Sequence, residues 1–140
     1  MKNFRLESLG LLAFTTASIL GLLFIRTNTS TPKAYITSFQ SDKTVYRSGG
    51  EINFTVKIYS SRRGVGLVRV HGIPVGVERV SIKRREELRP GLNEYSYVQK
   101  LPSCMGCSGI KPDVYGIESS LKTGWSDDSS EIIVINLTRR

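Results

Sequence analysis

The chain has 140 residues, a formal net charge of +8 and a hydrophobic fraction of 39%. That length holds one domain and little else, and such a hydrophobic fraction argues against a disordered chain. Its 20 basic residues are scattered among Glu, Asp, Ser and Gly, a balance that favours anionic surfaces such as lipid headgroups or acidic glycans and does not by itself indicate nucleic acid.

The amino terminus "MKNFRLES" carries Lys2 and Arg5, and "LGLLAFTTASILGLLFI" follows from Leu9 to Ile25 without a charge or a proline. As a helix this run rises about 25 Å, within the range that crosses a bilayer. The same pattern also fits a secretory signal peptide, whose apolar stretch is shorter, about 7–15 residues. The length of the run, and Arg26 standing where a small-x-small cleavage site would lie, favour an uncleaved anchor. Lys2, Arg5 and the initiator amine outweigh Arg26, so the positive-inside rule puts residues 1–8 in the cytoplasm and the domain outside. Three of the five asparagines, Asn28, Asn53 and Asn136, sit in glycosylation sequons, in agreement with an exported domain.

"RTNTSTPK", residues 26–33, is a short polar stalk, and beyond it the periodicity changes to two. Seven strands are predicted: Ala34–Phe39, Glu51–Tyr59, Val65–Ile73, Val77–Lys83, Leu92–Leu101, Asp113–Leu121 and Glu131–Leu137. The second alternates most cleanly, with Ile52, Phe54, Val56 and Ile58 on one face and Glu51, Asn53, Thr55 and Lys57 on the other, the pattern of a half-buried antiparallel strand. In the last, Ile133 and Ile135 are predicted to face the core, while Ile132 and Val134 share the outer face with Asn136. Two apolar residues there indicate a covered face, the cover being another subunit or, more simply, a neighbouring segment of the same chain. Turn-rich "QSDKTVYRSGG" and the charged "RREELRPG" (Arg84–Gly91) read as connections. Short strands about ten residues apart with Gly, Pro or Ser at the joints predict an all-β fold, a seven-stranded antiparallel β-sandwich over residues 34–140.

"SDKTVYRSGGEINFTVKIYS" resembles the first strands of immunoglobulin-like (Ig-like) domains of the macroglobulin or fibronectin type, where an acidic-x-x-x-Tyr-x-x-Gly turn precedes an alternating strand. "LRPGLNEYSYVQKLP" and "GIKPDVYGIESSL" resemble their later strands, with Tyr115 placed like a corner tyrosine. The resemblance covers residues 34–137 at the level of architecture and lacks the inter-sheet cysteine pair of antibody domains. It implies an adhesion, scaffolding or accessory-subunit role by analogy, in a membrane-anchored surface protein.

Both cysteines, Cys104 and Cys107, fall in "LPSCMGCSGIKPDVYGI". A structural zinc site needs four ligands, and the chain offers these two and His71. A thiol-exchange site wants Cys-x-x-Cys at the start of a helix, which Gly109 and Pro112 oppose here. A local disulfide is the expectation outside the cytoplasm, with Gly106 easing the tight ring, and closing so small a loop is worth about 2 kcal/mol. It would hold the loop as a rigid rim that presents Met105 for recognition.

His71 alternates with Arg69 on an exposed face and has no evident catalytic partner in the sequence. "KRREELR" (Lys83–Arg89) reads as a solvated loop, with contact to anionic lipid or glycan as its alternative. Trp125, the sole tryptophan, is expected to pack over the sandwich end or to anchor a partner; Asp127 and Asp128 beside it lack a calcium-loop pattern. No nucleophile elbow, phosphate loop or zinc-protease motif is present. The sequence thus predicts a single-pass membrane protein serving binding or assembly in an envelope complex. It predicts no enzyme activity, cofactor, metal, nucleic-acid partner or small-molecule substrate. Two alternatives are a pilin-like filament subunit, opposed by Glu7 lying before the apolar run, and thiol–disulfide exchange at Cys104 and Cys107.

Overall fold

A computed structural model describes residues 30–75, 77–103 and 110–139, with backbone only at 74, 75, 77 and 78. The predicted anchor, Asn28, Cys104, Met105 and Cys107 lie outside the described residues. Among the described residues no helix is long and apolar enough to cross a membrane.

Residues 32–140 form one compact unit. Its described residues form eight strands: β1 (Ala34–Ser41), β2 (Val45–Arg47), β3 (Glu51–Ser60), β4 (Gly64–Val75), β5 (Val77–Leu88), β6 (Gly91–Lys100), β7 (Asp113–Thr123) and β8 (Ser129–Thr138). They build a three-stranded sheet, β1-β3-β6, and a five-stranded sheet, β2-β8-β7-β4-β5. Alternation sets the faces: Ile52, Phe54, Val56 and Ile58 of β3 are fully buried, as are Val68 and Val70 of β4 and Ile135 and Leu137 of β8. Side chains from both sheets join in a single hydrophobic cluster, which makes the molecule a β-sandwich.

The structure corrects the expectation of seven antiparallel strands in two ways. The eighth strand, β2, lies inside the segment expected to be a turn and pairs in parallel with β8, Tyr46 opposite Leu137. At three residues it is too short for alternation to reveal it, but Tyr46 is buried and ties it to the core. The predicted charged loop is also strand: β5 runs on to Leu88, with Arg84 opposite Val68 and Arg85 opposite Leu67.

The topology gives the sandwich two poles. The chain enters at one, together with the β3–β4, β5–β6 and β7–β8 connections; the β1–β2–β3 turns, the described flanks of the β6–β7 connection and the end of β8 gather at the other.

Candidate functional site

The entry pole is tightly fastened. The Lys33 N–H donates to Ser61 Oγ (2.8 Å), and the Ser61 N–H donates to the Lys33 carbonyl (2.8 Å). The Ala34 N–H donates to Ser126 Oγ (3.0 Å), whose hydroxyl in turn donates to the Ala34 carbonyl (3.1 Å). Trp125 lies in the same β7–β8 connection, half-buried, with the Arg62 guanidinium 4.6 Å from its ring centroid. Gly64 makes room for the indole: a Cβ there would lie 2.6 Å from Trp125 Cζ3. Packing over the sandwich end, expected from the sequence, is what Trp125 does. In the β5–β6 turn, Gly91 adopts a positive φ of 99°, and Asn93 Oδ1 accepts from the Arg89 N–H (2.9 Å) while its Nδ2 donates back to the Arg89 carbonyl (2.8 Å).

At the far pole the Asp42-x-x-x-Tyr46-x-x-Gly49 turn is a hydrogen-bonded unit. The Tyr46 hydroxyl donates to Asp42 Oδ1 (2.6 Å) and accepts from the Lys43 N–H (2.8 Å); the Asn53 N–H donates to the same carboxylate oxygen (3.0 Å). The tyrosine hydroxyl, followed by the Asn53 amide, holds the Asp42 carboxyl below the ordinary aspartate value, and burial leads in pushing Tyr46 up. Gly49 supplies a φ of 75°. The described flanks of the cysteine loop, Leu101 and Ile110, are buried at 2% and 4% exposure. The Leu101 N–H donates to the Gly50 carbonyl (2.8 Å), tying the loop's start to this turn. Trp125 and the described flanks of the cysteine loop, Leu101 and Ile110, therefore stand at opposite poles.

Between the poles, the outer face of the five-stranded sheet divides in two. On β2, β8 and β7 lie Val45, Ile132, Val134 and Val114, exposed at 53%, 64%, 60% and 57%. Val45 and Val114 both stand opposite Asn136, and Gly116 opposite Val134, so the apolar residues form a strip around the exposed sequon asparagine. No described segment of the chain covers it. Asn53 of β3 is exposed too, as its alternation required.

The β4–β5 half is polar. A shallow depression of about 500 Å³ is lined by Arg69, His71, Ser81, Ile82, Lys83 and Ser120. His71 is half-buried, and its Nε2 lies 3.7 Å from Glu118 Oε2 across the β4–β7 pairing. Nothing in the linear pattern points to this carboxylate, which stands 47 positions away. At that distance the pair is an electrostatic contact when the imidazole is protonated rather than the close hydrogen bond of a catalytic dyad. Among the described residues, no group of three or more His, Cys, Asp or Glu side chains is placed to hold a metal ion.

A second groove, about 520 Å³, opens where β5 overhangs β6 and is lined in part by Arg84, Glu86, Tyr97 and Gln99. The Tyr97 hydroxyl donates to Glu86 Oε1 (3.1 Å), and the Tyr95 hydroxyl donates to the Glu87 carbonyl (2.7 Å), bridging the two edge strands. Burial raises the Tyr97 hydroxyl well above its ordinary range, so it stays a neutral donor.

No protein-family model matches this sequence, and no curated protein sequence matches it. Solved structures do share its fold. The sporulation control protein Spo0M of Bacillus subtilis is 12% identical, with a TM-score of 0.52 over 80% of this chain and 51% of that one. A CARDB domain from Pyrococcus furiosus, solved with di-metal ions, is 9% identical, with a TM-score of 0.55 over 79% of this chain and 96% of that one. A β-glucosidase of Erythrobacter marinus is 13% identical, with a TM-score of 0.56 over 76% of this chain and 16% of that one. The chain thus spans about half of Spo0M and a small part of the glucosidase. At these identities the likeness is one of fold alone: a β-rich, sandwich-like architecture.

Proposed function

We propose that this chain is a single-pass membrane protein that holds an Ig-like β-sandwich outside the cytoplasm for binding or assembly, as an accessory subunit of an envelope complex. The Ig-like assignment is supported by the strand order, by the likeness to the CARDB domain, and by Tyr115, whose hydroxyl donates to the Lys111 carbonyl (2.7 Å) four residues upstream, as a corner tyrosine does. Membrane attachment rests on the apolar run from Leu9 to Ile25 and its basic flank.

One observation carries the binding role: the exposed strip of Val45, Val114, Ile132 and Val134. Four exposed β-branched side chains grouped around Asn136 on one sheet face are the chemistry of a protein contact, because their burial releases ordered water.

The test is purification of the tagged full chain from native membranes in mild detergent, with stoichiometric companions and the amino-terminal peptide read by mass spectrometry. The proposal expects Met1–Arg26 retained and a defined companion set that is lost from an Ile132→Lys/Val134→Lys variant. A lone species lacking the apolar run would overturn it. A thiol-exchange role is separated in the same preparation, since such a pair cycles between thiol and disulfide whereas a structural disulfide resists mild reductant.

A further inference from the structure

We propose that the entry pole is a lipid-contact surface that seats the domain on anionic headgroups of the membrane in which it is anchored. The inference rests on the anchor reading and adds to it a partner.

Two independent features meet at this pole. The first is charge: Lys33 lies at the point of entry, Arg62 and Arg63 form the β3–β4 turn, and Arg89 lies in the β5–β6 turn, all exposed. Acidic residues are present as well. Glu87 lies 3.9 Å from Arg63, and Asp128 pairs with Lys122 at 3.3 Å. Asp127 is exposed beside it. The basic side chains occupy two of the three connections at this pole, and Asp127 and Asp128 lie in the third.

The second feature is a row of amphipathic side chains on the outer face of the three-stranded sheet, one position in from the same pole. Tyr35, Tyr59 and Leu92 are exposed at 45%, 37% and 65%. They are register partners across β1, β3 and β6, and the two tyrosine rings lie 5.4 Å apart. Tyrosines with a neighbouring leucine suit the boundary between headgroups and acyl chains, where the ring is apolar and the hydroxyl wet.

Tether length and rigidity bring these features to the membrane. If the apolar run ends at Ile25, seven residues separate it from Lys33, about 25 Å at full extension. From Lys33 onward the backbone is fastened to Ser61 and Ser126, so the pole cannot swing free of its own turns.

Trp125, the sole tryptophan, reports on this pole directly. The full chain is reconstituted in nanodiscs of phosphatidylcholine, with or without phosphatidylglycerol, each carrying a headgroup spin-labelled lipid, and quenching of Trp125 is read. Each basic residue near an anionic surface favours the contact on the order of five-fold. Quenching should therefore be several-fold stronger with phosphatidylglycerol, and should fall to the phosphatidylcholine level in an Arg63→Glu/Arg89→Glu variant that leaves Arg62 on the indole. High salt should produce the same loss in the unaltered chain. Equal quenching on the two membranes by a chain that has inserted overturns the lipid contact and leaves the anchor standing. A chain that does not enter the nanodiscs overturns both.

Discussion

Asp42 and Tyr46 show what a short motif does when its spacing is translated into bonds. One carboxylate oxygen gathers a phenol and a strand amide, and the phenol takes a turn amide in return. Tyr46→Phe removes two of these bonds at a buried ring and should cost about 1 kcal/mol, read by denaturant unfolding followed at Trp125. Because the Asp42 carboxyl is held below its ordinary value of about 3.9, its contribution is present above that pH and is lost as the pH falls through the depressed value. Asp42→Asn should therefore flatten the acid limb of a stability-versus-pH profile measured below about pH 4. Gly64 makes the second residue-scale case. A methyl group there collides with the Trp125 ring, so Gly64→Ala should destabilise by about 1–3 kcal/mol and change the emission of the sole tryptophan. The motif could be read in the sequence; the Gly64–Trp125 contact could not, since 61 positions separate the two.

Strands were legible where both faces had settled environments. β3 has core on one side and solvent on the other, and its alternation from Ile52 to Ile58 matches its burial. β5 lacked that simplicity. A sheet of five strands overhangs one of three, so the inward face of its edge strand is covered over only part of its length. Val80 and Leu88 are buried there, but Arg84 between them is exposed and looks into the groove beside Tyr97. Charged side chains on an uncovered edge also discourage pairing with other chains, and they gave the segment the composition of a loop. β8 poses the opposite problem, because its outer face carries apolar residues that no described part of the chain covers. Replacing Ile132 and Val134 by lysine should leave thermal stability nearly unchanged, within about 0.5 kcal/mol per site, since neither contributes to the core. Unfolding of the double variant beside the unaltered chain checks this; a large loss of stability would mean the strip supports the fold rather than a partner.

At the scale of the molecule, strand connectivity decides which surfaces serve which direction. The chain enters beside Arg62, Arg63 and Trp125, while the Asp42 turn and the flanks of the cysteine loop sit at the other end. Sequence reading could place both sets in connections, but only the pairing of β1 with the end of β3, and of β7 with β8, separates them into poles. The candidate site was legible in part for the same reason. Ile132 and Val134 stood out by alternation, whereas Val45 and Val114 join them only through pairing with β8. Under the proposed anchoring, the entry pole serves the lipid contact and the apolar strip serves a neighbour. The most direct measurement is protease treatment of intact cells bearing the full chain with a carboxy-terminal tag, followed by analysis of the membrane fraction. The account predicts that the tag is lost while an amino-terminal fragment containing Leu9–Ile25 stays in the membrane. A tag protected until the membrane is breached, or a domain released with no membrane-held fragment, would contradict it.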